Sequence, residues 1–271
     1  MKKNNFPRRK EIPAYSLANK IKRYIKSRGG GVLRKRLAVS FVEFGSKKYK
    51  RIYCNDDSLP RVMEELLEEV EDSQYFPAVL IRYENDLWVE YIAGNTIEDI
   101  DESLIKKIAS FYCYLYKKKS QFVSSDRYIR SLERDLVFLN DMNIIDDDLF
   151  ERLMDYAKQI APENLWVGLD YTDSIKKNFV IEENSENLFA IDIESLQDNK
   201  IIGTGIAKAK MVWLDDQDLA LIFNEMLTND SPPFYDYFMF IQLKFRAQWL
   251  KSIFLRKKWK KLNSDVLREL L

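Results

Sequence analysis

The sequence predicts an α+β protein with strands concentrated near its start and helices filling most of the remainder. Three observations carry this. Two hairpin signals fall within the first hundred residues, at 33–54 and 78–92. Helical periodicity runs through 101–160 and returns at 215–226. Between these helical blocks one strand-turn-strand pattern stands alone, from Phe179 to Asp192.

Composition bounds the class. The chain has 271 residues, 46% of them hydrophobic, enough for one large domain or two lobes. Lys plus Arg and Asp plus Glu both number 43, so net charge says nothing and only its distribution is informative. Two cysteines, Cys54 and Cys113, make no disulfide framework. Each lies in a hydrophobic run, as expected of a buried thiol in a reducing, cytoplasmic compartment. With no histidine, a zinc site is not expected. No apolar run approaches the ~18 residues a membrane span needs. The N-terminal MKKNNFPRRKEIP lacks the apolar centre of a secretory signal. Glycine is scarce, with 8 residues, and neither G-x-G-x-x-G nor a Walker sequence occurs, which argues against Rossmann and P-loop proteins.

Residues 1–30 form a basic extension, with ten Lys or Arg against Glu11 alone, and Ala14 to Lys26 suits a short helix. It reads either as a contact for an anionic surface or as a solvated tail. Gly29-Gly30-Gly31 reads as a hinge. Leu37 to Phe44 and Tyr49 to Cys54 are expected to pair across a Gly45–Lys48 turn. Asn55 to Ser58 offer helix-cap chemistry, Pro60 suits a first turn, and Met63, Leu66, Leu67 and Val70 repeat at helical spacing. The run AVLIRYENDLWVEYI at 78–92 is a second hairpin, turning at Glu84-Asn85-Asp86 and ending at Gly94. Helices follow at Asp101–Tyr116, Arg127–Asn140 and Asp148–Ile160, and Leu165–Leu169 is an apolar run delivering the chain to Asp170.

The stretch 170–194, DYTDSIKKNFVIEENSENLFAIDIE, carries the chemistry. Asn178 opens one strand of the predicted hairpin and Asp192 ends the other, so their side chains can converge. An amide oxygen and a carboxylate held close suit a hard cation such as Mg²⁺. This spacing resembles the catalytic centre of the protein-kinase-like fold. Within it, the pattern is similar to the branch of aminoglycoside phosphotransferases, choline kinases and lipopolysaccharide-core (Kdo/heptose) kinases.

The resemblance implies a two-lobed fold, with a small antiparallel β-rich N-lobe at 31–93 and a mostly helical C-lobe at 94–271. It implies that Asp173 orients the attacking hydroxyl, that Asn178 and Asp192 hold magnesium, and that ATP lies between the lobes. The third strand of that fold carries a cation for the phosphates. Arg51 or Lys50 fills this role, and Arg51 is preferred because it alternates with Tyr49 and Tyr53 in a plausible inward set. Glu64, near the apolar stripe of the next helix, is the candidate partner of that cation. Backbone groups of Glu90, Tyr91 and Ile92 are expected to bond adenine. The resembling families usually place His two residues before the catalytic Asp, where this chain has Tyr171. That departure keeps open a catalytically inactive protein, a pseudokinase binding an anionic partner.

Two further features bear on the acceptor. Residues 201–209 replace a long activation segment and no Ala-Pro-Glu occurs, which argues against a protein substrate. Residues 237–262 hold eight Lys or Arg and no acid, interleaved with Phe245, Trp249, Phe254 and Trp259. This run reads either as a basic amphipathic helix on an anionic membrane surface or as a helix packing its apolar face on the domain. Nucleic acid is a third option without a supporting motif. The resemblance implies a sugar, glycolipid or small-alcohol acceptor, and the basic termini taken with the similarity to the lipopolysaccharide-core kinases make an anionic glycolipid such as lipopolysaccharide core, at the inner membrane face, the specific expectation.

Overall fold

The computed structural model describes residues 14–28 and 37–271. The basic run at 1–13 and the triple glycine at 29–31 lie outside the described residues. In chain order the elements are α1 (Ala14–Arg28), β1 (Leu37–Phe44), β2 (Lys47–Cys54), α2 (Ser58–Glu69), β3 (Val79–Tyr83), β4 (Asp86–Glu90), β5 (Gly94–Thr96), α3 (Glu102–Lys118) and β6 (Ser120–Ser124). They continue with α4 (Asp126–Asp141), α5 (Asp147–Ile160), β7 (Asn164–Tyr171), β8 (Phe179–Glu182), β9 (Leu188–Ala190), β10 (Leu196–Ile201), α6 (Thr204–Val212), α7 (Asp216–Thr228), α8 (Phe238–Leu255) and α9 (Asp265–Arg268). The elements divide into two units: residues up to 97 with 177–194, and residues 98–176 with 195–271. The β8–β9 hairpin, placed from sequence in the C-terminal part, thus groups with the N-terminal strands.

The first unit holds an antiparallel sheet in the order β1-β2-β4-β3 and a smaller one in the order β5-β8-β9. The first hairpin is tighter than its charge pattern suggests. Phe44 pairs directly with Lys47, leaving only Gly45 and Ser46 to turn, and Gly45 takes φ +67°. Lys47 and Lys48 read as turn residues because they are charged, but exposed strand positions tolerate lysine equally well. Leu17 and Ile21 of α1 bury against Val42, Tyr49 and Trp88. That face of the sheet is therefore covered by the N-terminal helix.

The same face carries a buried ion pair. Arg51 Nε and Nη2 donate to Asp86 Oδ1 and Oδ2 at 2.8 and 3.0 Å, and the guanidinium lies over the rings of Tyr53 and Tyr24. The side chains are only 12% and 2% exposed. Removing one partner strands the other charge in the interior, so Asp86→Ala should cost about 3–5 kcal/mol. Replacing the pair together, as Arg51→Met with Asp86→Leu, should restore most of that stability. Urea melts of the single and double variants check both outcomes.

The second unit is built on helices. The three-stranded sheet β10-β7-β6 puts a nearly wholly buried β7 between two polar edge strands. The edge strands SQFVS and LQDNKI carry no apolar alternation, which explains their absence from the sequence reading. Helices α3, α4 and α5 appear where periodicity predicts, and α7 begins at a full capping box between Asp215 and Asp218.

Of the two readings of 237–262, helix α8 follows the one that packs its apolar face on the domain. It is a core helix, burying Phe240, Ile241, Leu243, Ala247, Leu250 and Ile253. Its cations are engaged inside the unit. Lys244 donates to Ser131 at 3.0 Å, Arg246 pairs with Glu269, and Lys251 pairs with Asp135 at 2.7 Å. The continuous run from Leu255 to Lys261, including Trp259, is exposed. Among the described residues no helix is long and apolar enough to cross a membrane.

Candidate active site

In the first unit, the β8–β9 register aligns Phe179 with Ala190, which sets Asn178 and Ile191 side by side just beyond the ladder. The Ile191 amide donates to the Asn178 carbonyl at 2.9 Å and fixes that juxtaposition. Asn178 closes a single 3₁₀ turn, Lys176–Asn178, and its side chain is buried. Its amide donates to Asp192 Oδ2 at 3.3 Å, so the two predicted ligands do converge. An amide and a carboxylate offer hard oxygen donors, and magnesium commonly takes one or two protein ligands together with phosphates and water. Among the described residues no cluster of three or more His, Cys, Asp or Glu offers a larger ligand set. The pair thus fits magnesium bound with a phosphate substrate.

The phosphate-cation candidates separate by strand parity. Arg51 lies on the α1 face, held by Asp86, so the preference for it over Lys50 reverses. Tyr49, Arg51 and Tyr53 do share a face, as alternation predicts, but the helix covers it. Lys50 points to the opposite face, where its Nζ donates to the Ile191 carbonyl at 2.5 Å. Burial lowers its pKa, while the Asp192 and Glu194 carboxylates pull it back up. Glu64 is also corrected: it pairs with Arg82 of β3 at 2.6 Å rather than with the β2 cation. Glu90 ends β4, and Tyr91 and Ile92 follow it. Glu90 Oε2 accepts from the Ala78 amide at 3.5 Å, Lys48 lies over the Tyr91 ring, and Ile92 is buried with Val180 and Phe189.

In the second unit, Asp173 follows β7 on a loop held by its neighbours. The Thr172 amide donates to the Ser195 carbonyl at 2.8 Å, and Trp213 Nε1 donates to the Ser174 carbonyl at 2.8 Å. Tyr171 is fully buried and meets Phe111 edge-on at 5.6 Å. Its carbonyl accepts from the Tyr112 hydroxyl at 3.0 Å. Tyrosine thus anchors this loop by packing.

Asp170 and Lys208 escaped the sequence reading. Asp170 is fully buried and accepts the Thr204 amide at 2.8 Å and the Gly205 amide at 3.2 Å, tying the end of β7 to the start of α6. A Cβ on Gly205 would lie 2.1 Å from the Tyr171 carbonyl oxygen, so only glycine admits this approach. Burial raises the Asp170 carboxyl to about 7, against the pull of the Gly205 and Thr204 amides. Lys208 of α6 brings its Nζ to 4.0 Å from Asp173 Oδ1. Neither had a sequence signal, because each acts across a chain separation of more than thirty residues.

No family model and no curated protein matches the sequence. Solved structures do match. Choline kinase from Streptococcus pneumoniae aligns with a TM-score of 0.62 at 12% identity, covering 94% of this chain and 97% of that one. Macrolide 2'-phosphotransferase from Brachybacterium faecium aligns at 0.62 and 11% identity, covering 89% and 88%. The chain has the protein-kinase-like fold. Plasmodium vivax ethanolamine kinase extends the likeness over 99% of this chain and 93% of its own, at a TM-score of 0.57 and 14% identity. Solved choline kinase and aminoglycoside phosphotransferase structures share this fold with the chain, the fold that the 170–194 stretch resembles.

Proposed function

We propose that the protein is an ATP-dependent phosphotransferase that moves the γ-phosphate to a hydroxyl of a small acceptor. The observation that carries this reading is the convergence of Asn178 and Asp192 on a hairpin that begins five residues after Asp173. Asn178 and Asp192 would hold magnesium, which when bound supplies neutralisation of phosphate charge. Lys50 supplies the cation for the non-transferred phosphates, and backbone groups at 90–92 meet the adenine edge. Asp173 accepts a hydrogen bond from the acceptor hydroxyl and takes its proton. The hydroxyl oxygen bonds to the γ-phosphorus as the bond from that phosphorus to the β–γ bridging oxygen breaks, and ADP leaves. This chemistry needs positioning and charge more than covalent assistance.

The acceptor is proposed to be a sugar or small alcohol. The absence of a long activation segment favours this over a protein substrate. A glycolipid such as lipopolysaccharide core is the narrower version, and it no longer draws on α8, whose cations are engaged internally. Replacing Asp173 with alanine should lower turnover by roughly 10²–10⁴-fold, with the KM for ATP near the parent value. Steady-state kinetics with saturating acceptor measure this. Parental turnover in that variant would remove Asp173 from its role. Thermal stabilisation by magnesium-ATP separates the enzyme from an inactive relative of the same fold that binds no nucleotide.

A further inference from the structure

Lys208 is unusual among the cations of the second unit. Its side chain is only 13% exposed, yet its sole charged partner is Asp173 at 4.0 Å, beyond hydrogen-bond length. No acceptor among the described residues receives a hydrogen bond from its ammonium. Lys210, Lys244, Lys251 and Arg246 all reach a close partner. The Lys208 ammonium instead lies 5.9 Å from the Phe245 ring centre and 5.8 Å from that of Trp249, both on α8 and both half-buried. Burial lowers its pKa and the Asp173 carboxylate opposes that. The ammonium is partly desolvated and is held near the Asp173 carboxylate without bonding to it, so its donors face the group read as orienting the acceptor hydroxyl and are free for an anion that the acceptor brings.

We propose that Lys208 selects the acceptor by charge, admitting small alcohols that bear a carboxylate or phosphate group and excluding those that bear an ammonium. The anionic group of the acceptor sits on the ammonium, its carbon frame lies along Phe245 and Trp249, and its hydroxyl is presented to Asp173. A cationic acceptor meets like charge at the same point, and the two rings are already faced by an internal cation. This inference rests on the phosphotransferase reading of Asp173.

The test is a transfer assay with magnesium-ATP and four acceptor sets: sugar acids, sugar phosphates, neutral sugars and amino sugars. It is run on the parent chain and on Lys208→Met and Lys208→Arg. The parent should prefer one of the two anionic sets over the neutral and aminated ones, and which set wins tells carboxylate from phosphate. Lys208→Met should raise the KM for that set by about 10- to 100-fold, the weight of a charge-assisted hydrogen bond. Lys208→Arg should recover most of the preference. A parent that prefers neutral or aminated acceptors, or transfers to no anionic one, overturns the role of Lys208, as does unaltered selectivity in Lys208→Met. In those cases stabilisation by magnesium-ATP leaves the phosphotransferase reading standing. A parent chain that magnesium-ATP does not stabilise overturns that reading and this inference with it.

Discussion

Asp192→Asn is expected to reduce phosphoryl transfer by about 10³-fold while leaving the fold intact. The substitution keeps the shape of a half-buried side chain and removes its charge. The carboxylate is the only formal charge in the Asn178–Asp192 pair, so its loss leaves two neutral amides to hold a dication. Losing one well-placed electrostatic contact at a charged transition state commonly costs 10²–10³-fold, and loss at a phosphoryl centre reaches higher. A factor of 10³ corresponds to about 4 kcal/mol of barrier. Two measurements check this. Turnover should fall as stated, and the melting-temperature increase given by magnesium-ATP should largely vanish. A variant retaining both would sink the metal role of Asp192.

The second large effect falls on stability. Asp170→Ala is expected to cost about 2–6 kcal/mol, because the Thr204 and Gly205 amides lose their acceptor, at roughly 1–3 kcal/mol for each stranded buried donor. Such a loss is a large share of the 5–15 kcal/mol typical of a folded domain. The same residue predicts a pH dependence. Its carboxyl stands at about 7 in the folded chain, above the ordinary value near 3.9, so the folded state holds the proton over that interval. The stabilising contribution is full below about pH 4 and is lost as pH rises through 7. Asp170→Asn retains one oxygen acceptor and cannot titrate. The difference in melting temperature between parent and Asp170→Asn should therefore change between about pH 4 and 7 and level off above it. A constant difference would show that Asp170 does not titrate there.

Much of the fold was legible in the sequence because its signals are local. Apolar alternation marked β1–β4 and β8–β9, and 3.6-residue periodicity marked α2 to α5 and α7. What escaped lacked such signals. The strands β6 and β10 are polar edges whose order comes from pairing with β7. Helix α8 looked basic and amphipathic because partners such as Asp135 and Glu269 lie far away in the chain. The convergence of Asn178 with Asp192 was legible because a hairpin of known turn length fixes what stands beside what. The choice between Lys50 and Arg51 was not.

The sequence by itself determined the order of strands and helices, the spacing of Asp173, Asn178 and Asp192, and the pairing that brings the last two together. Each follows from periodicities and turn chemistry acting over a few residues. Tertiary structure alone decided which face of β2 is covered by α1, and so which cation is committed to Asp86. It also decided that Asp170 caps α6 and that Lys208 stands beside Asp173. Alternation tells which side chains share a face, but only packing tells what covers that face.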